Sequence, residues 1–473
     1  MLTKKNKWIT LFIGCLILIN CTPSKDSTPN IVFFIVDDLG WMDVSFRDST
    51  FYETPNIDDL SSRSMNFSQA YASHPRCEPS RYSIITGMYP ARVKLPGKVK
   101  GLTYNDYFLT NFFKASGYKT IFIGKWHLSL NGVYPEHAGF DINIAGGDAG
   151  APKSYFYPYN YVKSGSGKNK PPFINNIPKT IKGKYLTDQL TEISVDMIKK
   201  YSNEPFFLLM SHYGVHTPLE SKQSYLNEFD QKKNQKQVID SINNIKFSAW
   251  SGEEKLIRNN PSYAGMIKSI DQSLGKIIEA LKVTKQFDNT IIVFTSDHGG
   301  LSNRGNKRAL ATSNYPLRAG KGHLYEGGIR IPHFVFWKDK INNSWTDYQI
   351  IGMDHLLSLI DLINLVPHHD LLNIDGRSYA DILLGKDLEH PDRPLFWHSP
   401  IPRSKSTGDR ASSAIRKGNY KLIHFYEDHL FELYDISTDI EEKINLVNHE
   451  PKIASEMKDH LQNWKESIKA YHR

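Results

Sequence analysis

The sequence predicts an α/β fold, with a large, mostly parallel sheet sandwiched by helices and a small C-terminal antiparallel sheet with one packed helix. Three observations predict it. Four apolar runs each end in a cluster of chemically capable side chains, amphipathic stretches lie between them, and from about residue 375 the pattern changes to short strands with tight connections. At 473 residues the chain can bury a sizeable core and carry one large domain plus a smaller one.

The first run, Asn30 to Val36, leads into Asp37-Asp38, and the second, Thr120 to Ile123, into Gly124-Lys125-Trp126-His127. Pro205 to Met210 ends at Ser211-His212-Tyr213-Gly214-Val215-His216, and Thr290 to Thr295 at Ser296-Asp297-His298-Gly299-Gly300. Continuous apolar runs of this length read as strands covered on both faces. In parallel sheets of that kind the ligand crevice lies at the carboxyl ends, where all four clusters fall.

Helices are expected over Tyr104 to Ser116, capped by Gly117, over Thr187 to Tyr201, and over Pro261 to Leu281, where Met266, Ile267, Ile270, Leu274, Ile277, Ile278 and Leu281 share a face. Lys222 to Asn260 reads as a charged surface insertion. Near the C-terminus, Pro394 to Trp397, Ser413 to Ile415, Lys421 to Phe425 and Leu430 to Tyr434 read as strands, and Glu450 to Tyr471 as a closing helix.

Lys4, Lys5 and Lys7 precede an apolar run from Trp8 to Ile19, the pattern of an export signal and too short to span a bilayer. Residues 1–20 are therefore expected to be a signal peptide, with 21–374 and 375–473 as the two folded parts. The run ends Asn20-Cys21-Thr-Pro-Ser, which resembles a bacterial lipoprotein cleavage site, although Asn20 stands where that pattern prefers a small residue. That resemblance implies a lipid anchor on Cys21 and a periplasmic or outer-membrane-anchored protein. Cys15 would leave with the signal, so Cys77 is the one cysteine left for the folded part, and no intrachain disulfide is possible. Net charge falls from +8 to +5 on removal of residues 1–20, a mildly basic balance that suits an anionic substrate; no nucleic-acid partner is expected.

Asp37, Asp38 and Asp297, gathered at adjacent strand ends, would form a group of carboxylates that needs a cation, and hard oxygen donors favour Ca²⁺ or Mg²⁺. Cys77 itself lies in "HPRCEPSRYSIITG", residues 74–87, between Arg76 and Glu78, a setting in which an unpaired exported thiol is a liability unless it is used.

Cys-Glu-Pro-Ser-Arg followed by Tyr-Ser-Ile-Ile-Thr-Gly resembles the maturation signature of the type I sulfatases, of the alkaline phosphatase-like superfamily. Gly117-Tyr118-Lys119-Thr120 running to His127 resembles the second family signature. "DDLGW" at 37–41, "YETPNID" at 52–58, "HTP" at 216–218, "SDHGG" at 296–300 and "PLRAGKGHLYEGGIR" at 316–330 extend the likeness in family order; "IRKGNYKLI" and "ELYDI" carry it into the C-terminal part. Arg76 and Glu78 depart from it, occupying positions that hold small or apolar residues in most relatives. His298 stands where many relatives have Asn.

The resemblance implies that a formylglycine-generating enzyme oxidises Cys77 to an aldehyde. Hydrated, the aldehyde is a diol: one oxygen attacks sulfur and displaces the alcohol, and the other expels sulfate and restores the aldehyde. It implies metal ligation by Asp37, Asp38, Cys77, Asp297 and His298, with Ca²⁺ first and Mg²⁺ second. Arg81 and Lys125 would hold the aldehyde-derived oxygens, His127 would take a proton during sulfate release, His216 would protonate the leaving alkoxide and Lys321 would pair with sulfate. His212 is left as a supporting residue.

A sulfated carbohydrate, polysaccharide or oligosaccharide, is the expected substrate, and "YFYPYNYVKSGSGKNKPP" at 155–172 has the aromatics and lysines to stack on sugars and attract their anions. Three readings compete: a phosphonate or phosphate monoester hydrolase of the same superfamily, a thiol hydrolase using unmodified Cys77, and a non-catalytic glycan-binding surface lipoprotein.

Overall fold

The computed structural model describes residues 28–47, 49–93, 107–129, 131–160, 174, 176–235, 245–248, 252–305, 310–365, 374–386 and 393–470. The expected signal peptide and Cys21 lie outside them. Among the described residues no helix is long and apolar enough to cross a membrane.

The main sheet contains β1 (Asn30–Val36), β2 (Met65–Phe67), β3 (Lys119–Gly124), β4 (Ile142–Ile144), β5 (Phe206–Ser211), β6 (Thr290–Ser296), β7 (His333–Phe336) and β8 (Ser344–Thr346). Its order is β8-β2-β7-β6-β1-β5-β3-β4. The five strands from β6 to β4 are parallel, and β7 runs against both of its neighbours. The predicted mostly parallel sheet is therefore observed, and the four apolar runs are its neighbouring central strands.

Alternating side chains explain why these runs are apolar throughout. Val32, Phe34 and Val36 of β1 enter one core; Ile31, Phe33 and Ile35 enter the other. On the first face lie α4 (Leu186–Lys200) and α6 (Pro261–Val283), after α1 (Pro55–Ser61), α2 (Cys77–Thr86) and α3 (Thr110–Ala115) in the chain. The second face is covered by α2, α3 and α7 (His355–Leu362), which follows α5 (Gln223–Gln235) and α6. Helix α6 starts where expected because Pro261 occupies its first turn and the Asn260 side chain accepts from the Tyr263 N–H. Each of its buried Ile and Leu side chains contributes roughly 1.5–3 kcal/mol by leaving water.

Two expectations are corrected. Helix α3 is shorter than Tyr104 to Ser116, residues 101–106 lying outside the described part. Lys222 to Asn260 is more than a surface insertion: α5 packs on α6 with Phe229 fully buried, and Ile245–Ser248 pairs with Gly252–Lys255.

The C-terminal sheet is the antiparallel meander β9 (Leu395–Ser399), β10 (Ser412–Lys417), β11 (Tyr420–Phe425) and β12 (Leu430–Asp435), with α8 (Pro451–Ser467) packed on it. It is joined to the rest through buried charge. Lys421 lies 2.8 Å from Glu326 and 2.6 Å from Glu442, while the Tyr71 hydroxyl donates to Glu326 at 3.0 Å. Burial opposes ionisation of Glu326, and Lys421, Arg416 and Arg330 outweigh it, holding its carboxyl below the usual range at about 2. Lys421→Met would leave Glu442 buried without its cation and Glu326 with only Arg416 and Arg330, and is expected to cost about 3–5 kcal/mol, measured as loss of unfolding free energy in urea.

Candidate active site

Register brings the four polar clusters together. Val36 pairs with Ser296, Ile35 with Ser211, and Ser211 with Gly124, so the residues that follow leave the sheet side by side. The Asp38 N–H donates to Asp297 Oδ1 at 3.1 Å, and the Lys125 N–H to the Ser211 carbonyl at 2.7 Å. Asp38 and His127 both adopt left-handed backbone, φ 62° and 60°, sparsely populated for such residues and the kind of outlier that clusters at functional sites. Gly124 permits the turn before Lys125: its φ is +111°, and a Cβ there would lie 1.8 Å from the Ser211 carbonyl oxygen.

Carboxylates and cations alternate in this pocket. Arg81 sends Nε to Asp297 Oδ2 at 2.9 Å and Nη1 to the Lys125 carbonyl and Ser211 Oγ, 2.7 and 2.6 Å away. Lys125 Nζ meets Asp37 Oδ2 at 2.6 Å, and Lys321 Nζ meets both Asp38 oxygens at 2.6 and 2.9 Å. All these groups are buried. Burial pushes the Asp37 carboxyl well up, Lys125 opposing it; at Asp38, burial is overcome by His216, Lys321 and His298, and the carboxyl is held down. Asp297 is likewise held low against burial, by His298 and Arg81.

Cys77 is the first residue of α2 and enters the pocket from the helix side. Its Sγ lies 3.1 Å from His298 Nε2, 3.5 Å from Lys321 Nζ and 3.9 Å from Asp38 Oδ1. Burial disfavours its thiolate, yet Lys125, Lys321, His298 and a hydrogen bond with His127 bring the thiol well below its ordinary range. Burial also keeps His127 neutral below the usual imidazole range. The His216 Nδ1 is fixed on the Thr217 carbonyl at 2.7 Å and its Nε2 lies 3.8 Å from Asp38; burial lowers this imidazole to about 3.

One ligand atom each from Asp37, Asp38, Cys77 and His298 lies within 4.8 Å of the others, a set able to hold a metal ion. Asp37 Oδ1 is buried without a hydrogen-bond partner at the same place, which fits a cation as its missing partner. Asp297 is outside that set of four, but its Oδ1 stands 3.6 Å from His298 Nε2. All the residues expected from the sequence, Asp37, Asp38, Cys77, Arg81, Lys125, His127, His216, Asp297, His298 and Lys321, thus surround one buried pocket. His212 does not: it bonds Ser273 of α6 at 2.9 Å and packs on Phe34, a core histidine.

The stretch 155–172 is also read differently in its described part. Tyr155 and Tyr159 are buried, and the Tyr155 hydroxyl donates to the carbonyls of Tyr213 and His216, so this aromatic supports His216 from within the core. Residues 161–172 lie outside the described part.

Sequence reasoning missed the segment 401–409. Arg76 reaches across the N-terminus of α2 to the Ile401 carbonyl and forms a buried ion pair with Asp409. His323 meets the Thr407 carbonyl at 3.1 Å, and the Gly305 N–H donates to Ser406. His74, beside Arg76, is buried and kept neutral by burial, with Arg76, His298, His398 and Arg403 adding to it. His74 and His323 both stood inside quoted motifs, three residues before Cys77 and two after Lys321.

Residues 29–367 match the family model described as Sulfatase, and residues 319–467 match N-sulphoglucosamine sulphohydrolase, C-terminal. The chain is 27% identical to a sulfatase of Formosa agariphila, over 98% of this chain and 94% of that one. It is 26% identical to an N-acetylgalactosamine-6-O-sulfatase of Bacteroides thetaiotaomicron, over 97% of each. Among solved structures, Ps i-CgsB in complex with k-i-k-neocarrahexaose superposes with a TM-score of 0.74 at 29% identity, covering 92% of each chain.

Arg76→Met would leave Asp409 buried without its counter-ion. We expect a loss of about 3–5 kcal/mol and faster tryptic cleavage after Arg403 and Lys405, read by limited proteolysis.

Proposed function

This chain belongs to the sulfatase family, and from that premise we propose that it removes sulfate from a sulfated carbohydrate, using formylglycine made from Cys77 and a divalent cation. The observation that carries the reading is the position of Cys77: the residue that opens the maturation signature is buried among Asp38, His298 and Lys321. The substrate class is supported by the N-acetylgalactosamine-6-O-sulfatase relative and by the carbohydrate-bound Ps i-CgsB structure.

Asp37, Asp38, Asp297 and His298 would hold the cation, with Ca²⁺ favoured by three hard carboxylates and Mg²⁺ next. When present, the aldehyde supplies a nucleophilic hydroxyl on hydration, and the cation supplies the charge that acidifies it. Arg81 keeps Asp297 and the Lys125 carbonyl in place, which orients the pocket. Lys125 and Lys321 present ammonium groups toward residue 77 and would stabilise negative charge on oxygens there. His127, neutral and beside residue 77, would accept a proton. His216 would deliver one to the leaving alcohol, a contribution of roughly 10²–10⁴-fold; burial holds its imidazole low in the free site, so this role needs the negative charge of bound sulfate to raise it. Export through the N-terminal signal, with Cys21 as a lipid anchor, completes the proposal and fits an extracellular or periplasmic polymer.

The test is the mass of the tryptic peptide Cys77 to Arg81 from protein made in its native host. We expect it about 18 Da lighter than the thiol form and reactive toward hydrazide; an intact thiol together with full turnover would overturn the aldehyde. Cys77→Ala should reduce sulfate release to background with the fold intact, and Lys125→Ala should lower kcat/KM by about 10²–10³. Chelation should abolish turnover, and Ca²⁺ should restore it better than Mg²⁺, measured as sulfate released.

A further inference from the structure

The C-terminal sheet and α8 enclose a second cleft, of about 530 Å³, lined by Ala411, His424, Tyr426, Glu427, His429, Gln462 and Lys465. None of these belongs to the catalytic pocket. Lys465 is 4% exposed and lines the cleft, yet its ammonium makes no hydrogen bond or ion pair with any described group. The Tyr426 ring lies 5.6 Å from it. The Lys465 stem is buried while its ammonium stands at the wall of a cleft open to solvent, where an anion from outside can reach it.

Of the carboxylates nearby, Glu466 acts on Lys465 only through its charge, without bonding it. Glu427 faces Arg410 at 3.5 Å, and Glu466 accepts from Gln462 at 2.5 Å. His424 Nε2 is also buried without a partner. After burial, the charges that keep His424 neutral, down to about 4, are all cationic: Lys465, His429 and Lys458. The walls are flat and aromatic. His424 stacks on Phe431 at 4.2 Å and 7°, and Tyr426 stands edge-on to it at 4.9 Å.

We propose that this cleft is a non-catalytic binding site for an acidic sugar unit, its sulfate or carboxylate paired with Lys465 and its ring against Tyr426 and His429. Cation plus aromatic surface is the chemistry that recognises a sugar bearing an anion. The Tyr426 hydroxyl shares Ser413 Oγ with His398, whose charge is felt by His74 beside the signature helix. By register, His398, Ser413 and His424 lie on the sheet face that α8 covers, opposite the face from which Trp397, Arg416 and Lys421 meet the main domain. The proposal rests on the sulfatase reading only in that the protein meets sulfated glycans.

The test is electrophoresis of the full-length Cys77→Ala chain through gels carrying chondroitin 6-sulfate, polygalacturonate or neutral agarose alone. Retardation by both acidic polymers is expected, weakened about tenfold by Lys465→Met through loss of one charge-assisted contact. Gln462→Trp, which fills the cleft from its exposed rim, should weaken it similarly and guards against misfolding of the first variant. With Cys77 restored, either variant should hydrolyse p-nitrophenyl sulfate within about twofold of the parent, since neither touches the catalytic pocket. Unchanged retardation in both variants would overturn the site. Displacement by sodium sulfate as readily as by the polymer, at matched ionic strength, would overturn the sugar and leave an adventitious ion only. Because the readout is binding by a chain without Cys77, failure here leaves the hydrolase reading standing, and an inert Cys77 leaves this one standing.

Discussion

The arrangement of the catalytic pocket depends on the guanidinium of Arg81. It ties helix α2 to three strand ends at once: to Asp297 beyond β6, to the Lys125 carbonyl beyond β3 and to Ser211 at the end of β5. Three buried carboxylates at neighbouring strand ends would repel one another and lose hydration; a fixed planar cation with several donors offsets both costs. Lys125 and Lys321 complete the balance on Asp37 and Asp38. Cys77 lies one helical turn before Arg81, so the interaction that neutralises the carboxylates also sets the position of the thiol.

That interaction can form because the central strands are parallel and in register. Antiparallel neighbours would send alternate loops to opposite edges, whereas β6, β1, β5 and β3 release all four clusters on one. Left-handed backbone at Asp38 and His127 then turns each side chain into the pocket instead of extending the strand. The energetic support for these conformations comes from the two cores beneath, where every β1 side chain is buried.

The same packing explains what was legible in the sequence. Asn30 to Val36 reads as a strand because both its faces are apolar, and its observed limits agree. The ten expected site residues were legible because each closes a strand or sits in a signature. The α5 region was not, because Phe229 and a few aromatics bury a helix whose remaining residues are charged. Tyr155 was misread for a related reason: composition cannot tell an aromatic that stacks on a ligand from one that holds a backbone carbonyl. The 401–409 segment was invisible because its contacts are long-range, Arg76 standing 333 residues from Asp409. Only the fold places Asp409 beside Arg76.

Arg76 shows how such a distant pair reshapes a local rule. It occupies the N-cap of α2, where the helix dipole favours anions and a cation is out of place. Asp409 reverses the sign of that position, and it also accepts from the Arg403 N–H, which brings the segment back over the signature helix. The departure from the family pattern at residue 76 and the placement of 401–409 are therefore one feature. An arginine at the N-cap without Asp409 would be a buried cation at the positive end of a helix; Asp409 without it would be a buried carboxylate in a loop. Held together, they bring the C-terminal part over the N-terminus of α2, and they account for a charged residue directly beside Cys77.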